Sequence, residues 1–520
     1  MNYKLLGKIL GKIMILEGIL MIAPFVVSLI YGEGVINAFA FVIPIVLLAA
    51  IGVLLQLPKP KRSSLYQKEG FALVPLVWLV MAMFGALPFV INGDIPNYID
   101  ACFEIMSGFT TTGASIIEDI GAMSHSTLFW RSFSHWIGGM GILAFVLIFI
   151  PEADDGSSMH LLRAESPGPQ VGKIVSKMKL TTGILYLIYF GFTVLEVILL
   201  MFDEPIAGYE GDKFFFSLLA TFGTAGTGGF GFVPGSMELF HPYSQYVMAT
   251  FLYLFGINFG LYYLILIGKI KDVVRSEEFR TYLIIVAVAI GTVFLSLIGA
   301  FGGGAVYEPG DAFRHAYFQV ASILTTAGFS TADFNLWPVL ATAVLVLVMF
   351  VGGMAGSTAG GMKTSRFVIA VKGIYITIRK LINPRYVPKA KFEGKTLEEK
   401  TISDVFSFIT MYFLILCGVV LILCFDPING TAVTITPDKV AADAIEGGSY
   451  SVTHGLLSNI TSAIACLSNI GPGLEAVGPY ASYAGFSWFS KIILTLTMLI
   501  GRLEILPVLI LFSPSTWKKA

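Results

Sequence analysis

Four short stretches of the chain repeat one pattern, small and hydroxyl residues closed by a glycine. The first reads Ser107-Gly108-Phe109-Thr110-Thr111-Thr112-Gly113 and the second Ala220-Thr221-Phe222-Gly223-Thr224-Ala225-Gly226. The third is Ser322-Ile323-Leu324-Thr325-Thr326-Ala327-Gly328, and the fourth Ala465-Cys466-Leu467-Ser468-Asn469-Ile470-Gly471. Glycine admits a positive φ and lets a backbone come close to an axis. Carbonyl oxygens gathered in this way can replace the water around a potassium ion. The residues expected at such a ring are Thr111, Thr112, Gly113, Thr224, Ala225, Gly226, Thr326, Ala327, Gly328, Asn469, Ile470 and Gly471. One copy would be no more than a turn. Four copies in the same setting argue for a shared task. The fourth has lost the threonines, so a ring of imperfect symmetry is expected.

The setting is what the surrounding elements supply. A short semi-polar helix is predicted before each turn, over 97–109, 213–223, 310–324 and 455–467. A helix of that length is too short to cross a hydrocarbon core of ~30 Å. Each must enter and return on one side, and irregular backbone at that depth is tolerated only where it is buried or lines water. The C-terminal, negative end of each short helix would face the ring and favour a cation. Long apolar helices flank them at about 70–92 and 126–151, 180–202 and 240–269, 279–301 and 336–380, and 401–425 and 485–512. Two more lead the chain, at about 5–31 and 36–57. The expected fold is therefore an all-α integral membrane protein of about ten spanning helices, with two leading helices and four helix–re-entrant loop–helix (M1–P–M2) repeats around a central pore. The segments are 1–57 for the leading pair, then 58–160, 161–275, 276–395 and 396–520 for the four repeats.

Composition agrees. The 520 residues are 56% hydrophobic and 13% charged, where a soluble domain carries about 25% charged residues. Cys102, Cys417, Cys424 and Cys466 form no CxxC pair, and six scattered histidines give no support to a metal cluster. No paired carboxylates or His/Asp constellation stands at membrane depth, which argues against an intramembrane enzyme. Lys4, Lys8 and Lys12 precede and enter the first apolar stretch. It runs too long for a removed signal and has no small-residue cleavage site. Basic residues gather in alternate loops: Lys59, Lys61, Arg62 and Lys68; Arg163, Lys173, Lys177 and Lys179; Lys269, Lys271, Arg275 and Arg280; Arg379, Lys380, Arg385, Lys389 and Lys391; Lys518 and Lys519. Asp94, Glu118, Asp119, Asp203, Glu204, Glu210, Glu308, Asp311 and Asp426 fall on the other side. The positive-inside rule then puts both termini in the cytoplasm.

Two features lie below the expected ring. The apolar helix after 336 is interrupted by Gly352, Gly353, Gly356, Gly360 and Gly361, with Ser357 and Thr358 among them. Glycine costs a helix about 1 kcal/mol per residue relative to alanine. Close helix packing is one reading; an unwound loop that blocks and clears a pore is the other and better one. Arg502 lies inside the last apolar helix, where a charge needs a cavity and a partner. It is either a packing salt bridge or an electrostatic barrier beside the loop. Glu504, two residues on, points to another face. Glu104 is expected to accept backbone hydrogen bonds behind the ring, and Arg131 and His135 to be structural.

These motifs resemble the Trk/Ktr/HKT superfamily of potassium transporters, most closely its TrkH branch. The resemblance covers essentially the whole chain and rests on SGFTTTGAS at Ser107–Ser115, WIGGMG at Trp136–Gly141, TTAGFST at Thr325–Thr331 and GGMAGSTAGGMK at Gly352–Lys363. It implies potassium as the transported ion, no organic cofactor, and a multi-pass protein of the cell inner membrane in contact with lipid. It implies a homodimer with one pore per subunit and a cytosolic nucleotide-binding regulatory subunit of the TrkA type; nothing points to nucleic acid. Glycine at the first turn goes with potassium in that family, whereas serine there goes with sodium selectivity in some plant relatives, so Gly113 implies potassium. The segment from Gly352 to Lys363 is implied to be an intramembrane loop under the filter, with Arg502 beside it. At the second turn Gly226-Thr227-Gly228-Gly229-Phe230-Gly231 departs from the family pattern, and Gly229 competes with Gly226 for the ring position. A secondary cation symporter with a midplane site is the alternative. Only the 336–380 helix reads as clearly broken, which favours the pore.

Overall fold

A computed structural model describes residues 1–58, 66–141, 178–206, 212–302, 304–383, 391–435, 449–511 and 513–517. Lys59, Lys61, Arg62, Arg163, Lys173, Lys177, Glu210, Arg385, Lys389, Lys518 and Lys519 lie outside these, as does the second half of the helix expected at 126–151.

The architecture is helical, and its burial is arranged for lipid. Several long helices are apolar but largely uncovered: only 22% of the apolar window of Thr182–Leu200 and 28% of those of Glu277–Leu297 and Glu399–Leu423 are buried, while that of Lys68–Asn92 is 56% buried. Leu29, Ile30, Val35, Val288, Leu347, Leu414 and Leu421 all lie exposed. The short helices are the reverse. Tyr98–Phe109, Lys213–Gly226, Pro309–Leu324 and Leu456–Ser468 carry the polar residues Glu104, Ser107, Thr221, His315, Gln319, Asn459 and Ser462, and all of these are buried. A chain with apolar side chains outside and polar ones inside is built for a membrane.

Local sequence explains several boundaries. The Asn97 side chain caps Tyr98–Phe109 by accepting from the Ile99 N–H at 2.9 Å. Pro309 opens the third short helix at the first position, where a missing N–H costs nothing. The leading pair is Tyr3–Leu20, continued by Ile22–Ile30, against Val35–Gln56. Gly11 and Gly52 face each other there, and a Cβ on Gly11 would lie 2.5 Å from the Gly52 carbonyl oxygen.

Two differences from the sequence reading stand out. Among the described residues six helices are long and apolar enough to span, or seven with one bent pair, against about ten expected. The second helices of the last three pairs are interrupted, not only the third, and that of the first pair is described only as far as Gly141. His125–Gly139 is followed by Met140 and by Gly141, which has φ +85. Pro242–Phe255 turns 90° into Phe259–Leu266. Val339–Val351 and Thr364–Ile382 are separated by the glycine-rich loop. Trp488–Arg502 is parted from Leu506–Leu511 at Glu504 and Ile505, with φ +59 and +68. Counting apolar length cannot see such breaks, because the residues on both sides remain apolar.

The second difference is a pair of small antiparallel hairpins where no strand was expected. Lys391–Phe392 pairs with Lys395–Thr396 through Glu393 and Gly394, whose φ values of +49 and +74 suit a tight hairpin turn. Ala432–Ile435 pairs with Tyr450–Thr453, with Ala432 opposite Thr453 and Ile435 opposite Tyr450.

Overpacking a close contact costs about 1–3 kcal/mol. Gly52→Leu is therefore expected to lower the thermal midpoint of the detergent-purified protein by several degrees, read by intrinsic fluorescence. An unchanged midpoint would mean the leading pair is not packed through these glycines.

Candidate functional site

Each short helix ends in the same turn. Thr111, Thr227, Thr326 and Asn469 adopt left-handed backbone, with φ +55, +53, +60 and +57. The next N–H then reaches back five residues. Thr112 donates to Ser107 at 2.8 Å, Gly228 to Gly223 at 2.8 Å, Ala327 to Ser322 at 2.7 Å and Ile470 to Ala465 at 2.8 Å. This closure satisfies a carbonyl that the helix end leaves unpaired and sends the chain back out. The residues that follow are Gly113, Gly229, Gly328 and Gly471.

These four glycines touch in sequence around a closed circuit. A Cβ on Gly113 would stand 2.7 Å from the Gly229 nitrogen, and one on Gly229 2.4 Å from the Ala327 oxygen. One on Gly328 would stand 2.0 Å from the Ile470 oxygen, and one on Gly471 2.6 Å from the Thr112 oxygen. A side chain at any of them would force the neighbouring backbone to shift. All four also line one cavity of about 550 Å³, whose wall includes Glu118, Asp119, Tyr480 and the hairpin residues Val433, Thr434 and Ile435.

At the second turn the glycine in the circuit is Gly229, the competing choice, three residues on from Gly226. Thr224, Ala225 and Gly226 belong to the helix, where the Thr224 hydroxyl donates to the Ala220 carbonyl at 2.9 Å. Gly226 packs against His135, whose carbonyl oxygen would lie 2.2 Å from a Cβ there. Thr227, Gly228 and Gly229 occupy the place expected of them. The second short helix runs through Gly226, which leaves Gly229 as the glycine after the turn.

Buried struts hold the turns in register. The Glu104 carboxylate accepts from Ser115 Oγ at 3.0 Å and Ile116 N–H at 2.9 Å, both just beyond the first turn. Arg131 pairs with Glu104 at 2.7 Å, both fully buried, and donates onward to the Gly231 carbonyl at 2.7 Å. One ion pair so joins the first turn to the second. His135 joins them again: Nδ1 meets the Gly108 carbonyl at 2.9 Å and Nε2 accepts from the Phe230 N–H at 3.3 Å, which requires the neutral ring protonated on Nδ1. The Asn469 amide donates to Thr112 Oγ1 and to the Met498 carbonyl, each at 2.9 Å, tying the fourth turn to the first and to the last long helix.

The glycine-rich loop lies against the same turns. The Gly360 N–H donates to Thr326 Oγ1 at 2.6 Å, and a Cβ on Gly360 would stand 2.6 Å from the Ser468 carbonyl oxygen. Gly352 and Gly361 fold the loop on itself, a Cβ on Gly361 falling 2.9 Å from the Gly352 Cα. Gly352, Gly356, Gly361 and Lys363 all have positive φ. Gly353 passes its carbonyl to the Thr364 N–H at 2.9 Å, Ser357 Oγ donates to Met354 at 2.7 Å, and Lys363 Nζ donates to Ala359. The loop also borrows carbonyls from the bend of the second pair. Met354 N–H donates to Gly256 at 3.0 Å and Thr358 Oγ1 to Phe255 at 3.2 Å.

Arg502 closes the set. Its guanidinium donates to the Thr358 carbonyl at 2.9 Å and to the Gly139 carbonyl at 2.8 Å, with Gly138 beside it. It joins the loop to the broken end of His125–Gly139. Glu504 points elsewhere, to Arg366.

Comparison with known proteins follows the same lines. The family model for TrkH, described as a cation transport protein, matches residues 37–428. The chain is 33% identical to the Trk system potassium uptake protein TrkH of Escherichia coli K12, over all of both chains. The chain belongs to the TrkH family. It is 29% identical to the Escherichia coli K12 Trk system potassium uptake protein TrkG, over 98% of this chain and 97% of that one. The crystal structure of the potassium transporter TrkH from Vibrio parahaemolyticus superposes with a TM-score of 0.81 at 29% identity, covering 100% of each chain. With its apolar helices, this membership makes the protein an integral membrane protein.

Sequence reasoning missed two residues here. Asn258 caps Phe259–Leu266 at the 90° bend and packs on Gly356. Glu278 accepts from the loop at two points. Both sit next to apolar runs and carry no motif, so only the fold reveals them.

Removing one partner of a buried ion pair costs about 3–5 kcal/mol, since the other charge is left bare. Arg131→Ala is expected to destabilise the protein severely, and Glu104→Leu with Arg131→Met to recover much of the loss. Denaturation in detergent reads both; equal stability of the single and double variants would contradict the strut.

Proposed function

We propose that this chain takes up potassium through a pore formed by four M1–P–M2 repeats. One backbone-carbonyl ring at Gly113, Gly229, Gly328 and Gly471 acts as the filter, and the loop Gly352–Lys363 acts as the gate. The closed circuit of the four glycine turns carries this reading. Four helix C-termini converge there and favour a cation, and their carbonyls can stand in for its hydration. An ion gathers in the outer cavity beside Glu118 and Asp119, passes the ring, and meets the loop. Arg502 places positive charge at the loop, where it opposes cation passage until the loop moves. Membrane potential supplies about 2.3 kcal/mol per charge per 100 mV. The relatives carry the names of Trk system potassium uptake proteins and no enzyme name.

By the same membership we assign the protein to the cell inner membrane, with both termini cytoplasmic, as a homodimer with one pore per subunit. A TrkA-type nucleotide-binding subunit would act on its basic face. The broken second helices favour a second reading, a cation symporter with a midplane site. Channel-like unitary currents in a bilayer support the pore; fixed ion stoichiometry with no such currents supports the carrier.

The proposed ring gives a sharp test in proteoliposomes. Gly113→Ser is expected to lower the potassium-to-sodium flux ratio about tenfold, equivalent to about 1.4 kcal/mol. Gly229→Ser is expected to disturb the ratio similarly, because its Cβ would push against the Ala327 carbonyl of the third turn. An unchanged ratio in both would remove the ring from the mechanism.

A further inference from the structure

The intramembrane loop is held from the basic side by one carboxylate. Glu278 is buried near the start of Glu277–Leu297. Its Oε1 accepts from the Ala355 N–H at 2.7 Å and from the Ser365 N–H at 3.1 Å. These two donors bracket Gly356, Gly360 and Gly361. A single oxygen therefore ties Ala355, inside the glycine-rich stretch, to Ser365, in the first turn of the helix that leaves it, and displacing either point breaks a bond to it.

Glu278 is in turn held by the small hairpin. Its own N–H donates to Glu393 Oε1 at 3.0 Å, and Ser276 Oγ donates to the same oxygen at 2.8 Å. Ser276 Oγ also caps the helix by accepting from the Phe279 N–H at 3.2 Å. Phe392 of the hairpin packs with Ile369, Ala370 and Val405. Lys372 donates to the Lys391 carbonyl at 2.5 Å and to Glu277 at 2.7 Å. The hairpin thus grips the helix that carries Glu278 and the helix that leaves the loop.

We propose that Glu278 is the positioning residue that latches the loop in its blocking place, and that the 391–396 hairpin sets the latch through Glu393. This deepens the pore reading and rests on it. A partner that pulled the hairpin away from Ser276 would loosen Glu278 and free the loop, without touching the ring.

The experiment is rubidium and sodium flux through the full-length protein in liposomes. Glu278→Ala is expected to raise rubidium flux about fivefold, within the usual range of a coupling between sites, with the rubidium-to-sodium ratio unchanged. Glu278→Gln keeps an acceptor oxygen and should stay near the parent. Glu393→Ala should raise flux in the same direction, and adding it to Glu278→Ala should give no further rise, because both act through one carboxylate. Flux at or below the parental level in monodisperse Glu278→Ala, or a changed ion ratio, overturns the latch. If Glu278→Ala does not fold, Glu393→Ala alone decides, and no increase there overturns it. Silent latch variants beside an ion ratio altered by Gly113→Ser sink only the latch. An ion ratio unmoved by Gly113→Ser and Gly229→Ser sinks the pore reading instead.

Discussion

Backbone pressed on backbone at four glycine turns is the contact from which the rest of the protein takes its form. Where Gly113 meets Gly229, Gly229 meets Gly328, Gly328 meets Ile470 and Gly471 meets Thr112, there is no space for a Cβ. Polypeptide brought so close exposes polar groups in the middle of a membrane protein, where each unsatisfied one is costly. The four short helices answer that cost. Each ends in a left-handed residue and a five-residue reach-back that spends a free helix carbonyl. Their buried polar side chains then hold the outgoing strands of the turns.

The same constraint accounts for the buried charges. Glu104 and Arg131 would be expensive separately, but together they satisfy Ser115, Ile116 and Gly231 and join two turns. Such a pair is weak evidence for stability and better evidence for a fixed geometry. Arg502 follows a different pattern, since it meets the carbonyls of Thr358, Gly138 and Gly139. Gly138 and Gly139 are the last residues of one helix, and Thr358 lies in the glycine-rich loop between two others. The breaks in the second helices and the arginine among them belong to one arrangement: interrupted helices release carbonyls, and a cation and neighbouring N–H groups take them up.

Much of this could be seen in the residues. The short helices were expected at 97–109 and 310–324, and they run Tyr98–Phe109 and Pro309–Leu324. A semi-polar stretch too short to span, opened by Asn97 or Pro309 and closed by a glycine turn, leaves few alternatives. The register of the second turn was harder. Gly223, Gly226, Gly228 and Gly229 are equivalent by composition, and only the helix length tells which one joins the circuit of turns. The breaks at Gly256–Asn258 and at Glu504–Ile505 were also hidden, because hydropathy does not change across them. Glu278 was hidden for another reason. Its partners lie 77 and 87 residues away, and nothing local marks it.

The most direct measurement is the position of a bound heavy cation. Crystals of the full-length protein prepared in thallium or rubidium, and measured for anomalous scattering, should give a peak central to the backbones of residues 113, 229, 328 and 471. An ion found only among the helix breaks, with nothing between the four turns, would contradict a filter made of peptide carbonyls.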